Sequence, residues 1–364
     1  MNITGIRYKP YRIPFVKPLR TASGVIYFRK GVLIWLDTES EVSGVGEAAP
    51  LSGFSTEFSE DVIHEIHRLQ DQIKQTPVTI PVEFEHMQIP ELLTSELPTL
   101  QYALDTALWD LAGQFTKKPV AALLSTNPAR SIDVNGTIGQ HSQKKTLTAA
   151  RELVEAGFRV LKIKIGRAHF QEDLACIRVL RESVPESIQL RLDANQAWAP
   201  EAAFDNLTQL AEYDIEYCEQ PIPAGDLTAL AKLKKNSPIP IAADEDARTL
   251  ESVKKITDRR AADVIILKPG FLGVRTTIEA IKFAESHNMR VVLTSVFDTT
   301  VGRAMACQLA AAFLPGETHG LADGYLQADF AEMSYTTQDG KVIIPDSPGL
   351  GVEVDSDLGE LFVK

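Results

Sequence analysis

An α/β fold is predicted: a (β/α)8 TIM-like barrel, with an N-terminal α+β capping domain that the C-terminal tail completes. Three observations predict it. From Ser131 onward, apolar strand, turn and amphipathic helix recur seven or eight times, which implies a parallel sheet. So many units in one run favour closure into a barrel over an open, doubly wound sheet. No G-x-G-x-x-G stretch follows the first of these strands, which weakens the dinucleotide-binding form of the open sheet.

Residues 1–124 have a different texture and form the capping domain. "ITGIRYKPYRI" and "GVLIWLDTESEVSGVGEA" alternate as an antiparallel meander, turning at the polar "DTESEVSG". Helices follow over about 57–76 and 97–113. In the second, Leu100, Leu104, Ala107, Leu108 and Leu111 recur at helical spacing, and Gly113 is expected to stop it. Residues 125–330 form the barrel. Its strands are predicted at Ile132–Ile138, Arg159–Ile165, Ile188–Asp193, Ile215–Glu219, Ile239–Asp244, Asp263–Lys268 and Arg290–Ser295, with an eighth near His319–Asp323. Helices between them include Thr146–Ala156, closed by Gly157, and Arg275–Ser286. Residues 331–364, with "PDSPGLGVEVD", form the tail.

At 364 residues the chain buries a large core, and 44% hydrophobic with 24% charged residues is ordinary for a soluble globular protein. A net charge of −12 with no basic run argues against nucleic-acid partners and gives no reason to sit on an anionic membrane. Cys176, Cys218 and Cys307 are too few and too scattered for a disulfide framework or a zinc site. The first residues carry no apolar secretory core, so a cytoplasmic location is expected.

"VLKIKIG", residues 160–166, holds the chemistry. Alternation puts Lys162 and Lys164 on one face of a strand that otherwise reads as buried. Inside a barrel that face points into the mouth. Asp193, Glu219, Asp244 and Lys268 end later strands, and from Lys164 onward the spacings are 29, 26, 25 and 24 residues, each one strand–helix unit. Taken singly, such an Asp is an N-cap and such a Lys marks a sheet edge. Recurring in phase, they converge on one rim. Three buried carboxylates need a compensating cation, and an all-oxygen set suits Mg²⁺, with Mn²⁺ as the alternative. Lysines beside a divalent ion, and beside each other, are expected to have lowered pKa values and to act as bases near neutral pH.

K-x-K on one strand, then Asp, Glu and Asp at successive strand ends, then Lys, resembles the enolase superfamily and its muconate-lactonizing-enzyme-like subgroup, over essentially the whole chain. The resemblance implies that Asp193, Glu219 and Asp244 hold Mg²⁺ and that Lys164 abstracts a proton α to a substrate carboxylate. It implies that Lys162 lowers the pKa of Lys164 and that Lys268 stands on the opposite face. "LRLDANQAW", "PLRTASGV", "VNGTIG" and "TSVFDTTVGRA" are similar to segments of the o-succinylbenzoate synthases. These are lyases that dehydrate a succinyl-hydroxycyclohexadiene carboxylate in menaquinone or phylloquinone synthesis. Lys164 would then also protonate the departing hydroxyl.

Asp246 stands where many members carry Ser. Loops 18–25 and 49–56 resemble the family's specificity loops, with Arg20 or Ser23 as partners for a substrate carboxylate. Trp198 is expected to be a packing residue. Strand Arg290–Ser295 contains no His, which argues against the mandelate-racemase-like subgroup. The alternative activity is that of an N-acylamino acid racemase or dipeptide epimerase, using Lys164 and Lys268 as opposed bases. Dipeptide epimerases show a D-x-D pair near the eighth strand, where this chain has Leu321 and Asp323. A non-catalytic binding barrel is disfavoured, because a scaffold gains nothing from a crowded anionic cluster.

Overall fold

The computed structural model describes residues 2–21, 24–75, 78–79, 93–330 and 334–354. Ser23 and tail residues 331–333 and 355–364 lie outside the described residues, as does the side chain of Arg20.

The N-terminal domain begins as the expected meander. β1 (Asn2–Thr21) pairs antiparallel with β2 (Gly24–Thr38), and β2 with β3 (Ser43–Ala48). Helix α1 (Ser59–Gln75) follows, then β4 (Val78–Thr79), which adds to β1. Helix α2 (Pro98–Thr116) lies directly on β3, because Gly44 and Gly46 present no side chain there. A Cβ at either would collide with the carbonyl oxygens of Ala107 and Ala103. Pro98 starts α2, and the left-handed Lys117 ends it. Gly113 therefore does not stop the helix. It is the point where the tail crosses, and a Cβ there would lie 2.5 Å from the Cα of Gly349.

After α3 (Val120–Leu124) the barrel starts with one strand in two pieces, β5 (Ser131–Val134) and β6 (Gly136–Ile138). The chain then alternates α4 (Gln143–Glu155), β7 (Val160–Lys164), α5 (Phe170–Ser183), β8 (Gln189–Asp193), α6 (Pro200–Leu210) and β9 (Ile215–Glu219). It continues through α7 (Leu227–Asn236), β10 (Ile241–Ala243), α8 (Leu250–Asp258), β11 (Val264–Leu267), α9 (Pro269–Leu272), α10 (Val274–Ser286), β12 (Arg290–Leu293) and α11 (Thr300–Phe313). Strands β6 to β12 form one parallel sheet in chain order. β13 (Thr318–His319) closes the circle. Gly320 donates to the Leu293 carbonyl (2.9 Å), Ser295 donates to Gly320 (3.0 Å), and β13 pairs parallel with β5. The eighth strand is shorter than predicted because residues past Gly320 turn toward the cap: Val16 donates to the Tyr325 carbonyl, and Gln327 to that of Pro14.

Tyr217, Ala242, Val264, Ile266 and Val292 form a separate apolar cluster on strands β9 to β12. A much larger cluster, which includes Leu161, Leu190, Cys218, Ile265 and Leu293, joins the strands to the surrounding helices.

Carboxylates of the cap dock on helix N-termini of the barrel, where backbone N–H groups lack intrahelical partners. Glu47 of β3 accepts from the amides of Thr299 (3.1 Å) and Gly302 (2.8 Å) at α11. Asp105 of α2 accepts from Val274 (3.0 Å) and Arg275 (3.3 Å) at α10. The tail hairpin, β14 (Thr337–Gln338) and β15 (Lys341–Ile343), adds to β5, and Leu350 then donates to Asp110 of α2 (2.8 Å). Among the described residues no helix is long and apolar enough to cross a membrane.

Candidate active site

The C-terminal ends of β7 to β11 bring the predicted charges together. Alternation along β7 turns Lys162 and Lys164 inward, and the parallel register sets Lys164 beside Asp193 and Asp193 beside Glu219. The Nζ of Lys162 lies 2.6 Å from Glu219 Oε1 and 2.9 Å from Asp193 Oδ2. Lys164 donates to Asp193 Oδ2 (2.7 Å) and to Asn195 Oδ1 (2.7 Å). Four strands on, Lys268 is paired with Asp244. In an eight-strand barrel, the second and sixth strands are diametrically opposed. Lys164 and Lys268 therefore approach the mouth from opposite sides, with the carboxylates of β8, β9 and the end of β10 between them.

All three carboxylates are buried, and the environments of Asp193 and Glu219 push those two apart. Burial works to raise Asp193, but the ammoniums of Lys162 and Lys164 outweigh it and hold the carboxyl far below the usual range. Burial, reinforced by the charge of Asp193, pushes Glu219 up to about 8. Its Oε2 is buried and has no hydrogen-bond partner. Glu245 is also raised, by burial and then by Asp244, and its Oε2 is likewise unpartnered. The rim has Asp193, Glu219, Asp244 and Glu245 against Lys162, Lys164 and Lys268, an excess of one carboxylate.

The expected lowering of the lysines belongs to a site that holds a divalent ion; with the carboxylates facing the lysines directly, the direction is different. Burial alone would lower Lys162 and Lys268, yet both are raised because carboxylates face them: Asp193 and Glu219 for the first, Asp244 and Glu219 for the second. Adjacent ammoniums lower each other only when the carboxylates are otherwise engaged. Among the described residues, no three His, Cys, Asp or Glu side chains are grouped as metal ligands, since each rim carboxylate leans on a lysine or an amide. The donor set nevertheless fits a hard divalent ion. It is all oxygen and anionic in excess, and one Glu219 oxygen is free of other partners.

Sequence reasoning missed three members of the site. Asn195 follows Asp193 with φ +43° and joins Lys164 to Glu245, donating 3.3 Å to Glu245 Oε1. Glu245 itself is the second. Gln220, fully buried with φ +36°, lies between β9 and β10. Trp198 packs edge-on against Phe170, as expected of a core residue. Leu321 is fully buried, and Asp323 accepts from the amide of Thr337 (3.2 Å). His287 lies on α10's surface end, and His319 is buried on β13.

A family model described as "Enolase C-terminal domain-like" matches residues 145–358, and one described as "Mandelate racemase / muconate lactonizing enzyme, N-terminal domain" matches 5–125. The chain belongs to the enolase superfamily. Its place in the muconate-lactonizing-enzyme-like subgroup agrees with likeness to a chloromuconate cycloisomerase of Cupriavidus necator, 25% identical over 98% of each chain. An L-Ala-D/L-Glu epimerase of Bacillus subtilis is 28% identical over 97% of both chains, and its substrate-liganded structure superposes with a TM-score of 0.88. A dipeptide epimerase of Enterococcus faecalis, solved with Mg and the dipeptide L-Leu-L-Tyr, is 26% identical over 97% of this chain and all of that one, TM-score 0.88.

Proposed function

We propose that the enzyme moves a proton on and off the α-carbon of an N-acylated amino acid and inverts it, as a racemase or epimerase. The observation that carries this is the pair of lysines on opposed strands. Inversion needs a base on one face of a planar intermediate and an acid on the other, and Lys164 and Lys268 are the groups so placed. The named activities of the epimerase relatives support the same choice over the dehydration that the segment likeness implied.

Asp193, Glu219 and Asp244 would hold Mg²⁺, with Mn²⁺ as the substitute, and the α-carboxylate of the substrate would bind beside them. Bound there, the ion would supply positive charge that favours loss of a proton beside that carboxylate. Lys164 Nζ takes the proton from one face, and Lys268 Nζ returns one to the other. Lys162, tied to both Asp193 and Glu219, stays protonated and sets the field at Lys164. Residues 1–124 act as the cap over a barrel of 125–330, and 331–364 tie the end of the chain back.

Within this class, the eighth strand favours an acyl group without an ammonium. Leu321 offers no charge, and Asp323 is already engaged with Thr337. N-succinylamino acids are therefore expected to be better substrates than dipeptides with a free amine. The test is proton exchange in D2O with Mg²⁺, followed by NMR and polarimetry, over both series. Inversion with uptake of one deuterium, abolished by chelation and restored by Mg²⁺ or Mn²⁺, is expected. Aromatisation of the cyclohexadiene carboxylate without inversion of any amino acid would overturn the proposal in favour of the dehydratase.

A further inference from the structure

We infer that Gln220 and Asp246 are positioning residues that hold the three carboxylate-bearing strand ends at a fixed spacing. The inference rests on Asp193, Glu219 and Asp244 being metal ligands, as proposed above.

The geometry is a closed circuit of hydrogen bonds. Gln220 Oε1 accepts from the amides of Asp244 (3.0 Å) and Asp246 (3.3 Å). Its Nε2 donates to Asp246 Oδ2 (2.8 Å) and to the Ile222 carbonyl (3.1 Å). The residue after one ligand thus grips the backbone of another. Its own backbone extends the grip both ways: Gln220 N donates to Ala242 (2.8 Å), and Gln196 N donates to the Gln220 carbonyl (2.7 Å). Asp246 Oδ1 accepts from Gly225 N (2.8 Å), and the neighbouring Ala224 N donates to Gln196 Oε1 (2.9 Å). The circuit therefore runs from β10 to β9 and on to the loop after β8.

Only an amide side chain meets both demands at Gln220, since it must accept from two N–H groups and donate to a carboxylate and a carbonyl. Glu would face Asp246 with a second carboxylate, and Leu would leave buried backbone amides unpaired. Gln220 also sits in the left-handed region, which a non-glycine residue keeps only when its surroundings hold it there. Asp246 reaches Gln220 with one oxygen and Gly225 with the other, both on the segment after β9, a span that a single serine hydroxyl would not cover.

The test is Mn²⁺ affinity, read from the electron paramagnetic resonance of free Mn²⁺, in wild type, Asp246→Ser, Asp246→Asn and Gln220→Leu. Removal of groups that orient metal ligands costs about 10–100-fold in metal affinity. That loss is expected for Asp246→Ser and Gln220→Leu. Asp246→Asn keeps one acceptor and should be intermediate. The double variant Asp246→Ser/Gln220→Leu should be little worse than the weaker single one, because both break the same circuit. Variants that melt lower but bind Mn²⁺ within about twofold of wild type would overturn the inference and leave only a structural role. A wild type that does not bind Mn²⁺ would overturn the ligand assignment itself. Should Asp246→Ser fail to fold, Asp246→Asn decides the matter.

Discussion

Two clusters of opposite charges occupy the two ends of the same barrel. At the floor, Arg191 donates to Glu216 through Nε (2.7 Å) and Nη2 (3.1 Å) and to the Thr318 carbonyl (2.7 Å). Arg290 bridges Glu216 and Glu317, and two guanidiniums meet two carboxylates. At the rim, four carboxylates meet three lysines, and Glu219 and Glu245 each keep a buried oxygen with no partner. None of the floor residues is among those with such an atom. Burying a charge is costly unless it is paired and hydrogen-bonded, so a closed network is what structural stability selects. An open one costs stability and persists where something else completes it. Residue type does not separate plug from site, but the closure of the network does.

The largest effect expected from breaking the rim is on turnover. Lys164→Ala should lower kcat by about 10²–10⁴-fold while leaving the melting temperature near that of wild type. Wild-type rates in this variant would remove Lys164 from the chemistry. Lys268→Arg distinguishes the two proton-transfer schemes at nearly the same scale. Arg keeps the charge but does not deprotonate in practice. Inversion should be lost, while exchange of the α-proton from the Lys164 face continues. A dehydratase with the same lysines would instead retain substantial activity.

The same operation at the floor should touch stability and spare catalysis. Arg191→Met leaves the half-buried Glu216 with only Arg290 and removes the guanidinium that lies over the Tyr217 ring. Because Arg290 still neutralises Glu216, the cost should fall below that of a stranded buried charge, about 3–5 kcal/mol, and is measurable by denaturant unfolding. The kcat/KM of the folded variant should stay within about threefold of wild type. A large loss of kcat at unchanged stability would mean that the floor is coupled to the site.

The rim was legible in the sequence because a lysine in an apolar strand violates alternation, and because carboxylates one strand–helix unit apart land on one rim. β9 lies where its pattern placed it, at Ile215–Glu219. The connecting residues were not legible. Gln220, Asn195 and Glu245 break no pattern in the sequence; their importance comes from partners on neighbouring strands and, at Asn195 and Gln220, from left-handed backbone, neither of which has a local signature. The pairing of the lysines was not legible for a related reason. Spacing showed which charges share a rim, but not that Lys162 would sit between Asp193 and Glu219, bonded to both. Gly113 was read as a helix stop because the tail that packs on it arrives from more than two hundred residues away.

The floor also offers the smallest test, through His319. Its ring accepts from the Leu293 amide at Nδ1 (3.1 Å), so Nε2 carries the proton toward the Leu314 carbonyl (3.1 Å), and the neutral form meets both demands. Burial lowers its pKa to about 4, and the nearby charge of Arg191 acts in the same direction. The unfolded chain binds that proton near the ordinary value of about 6.5. Above that pH the group adds nothing to the pH dependence. As the pH falls from 6.5 toward 4, the unfolded state takes up the proton and the folded state does not, so stability is lost. The gap between about 6.5 and about 4 corresponds to roughly 3 kcal/mol, lost progressively over that window. His319→Asn cannot take up the proton. It should start less stable at pH 7.5, because its shorter side chain does not reach both partners, and then lose less than wild type down to pH 4.5. Parallel stability curves for the two proteins would show that His319 does not titrate on unfolding, and the floor would then be insensitive to acid.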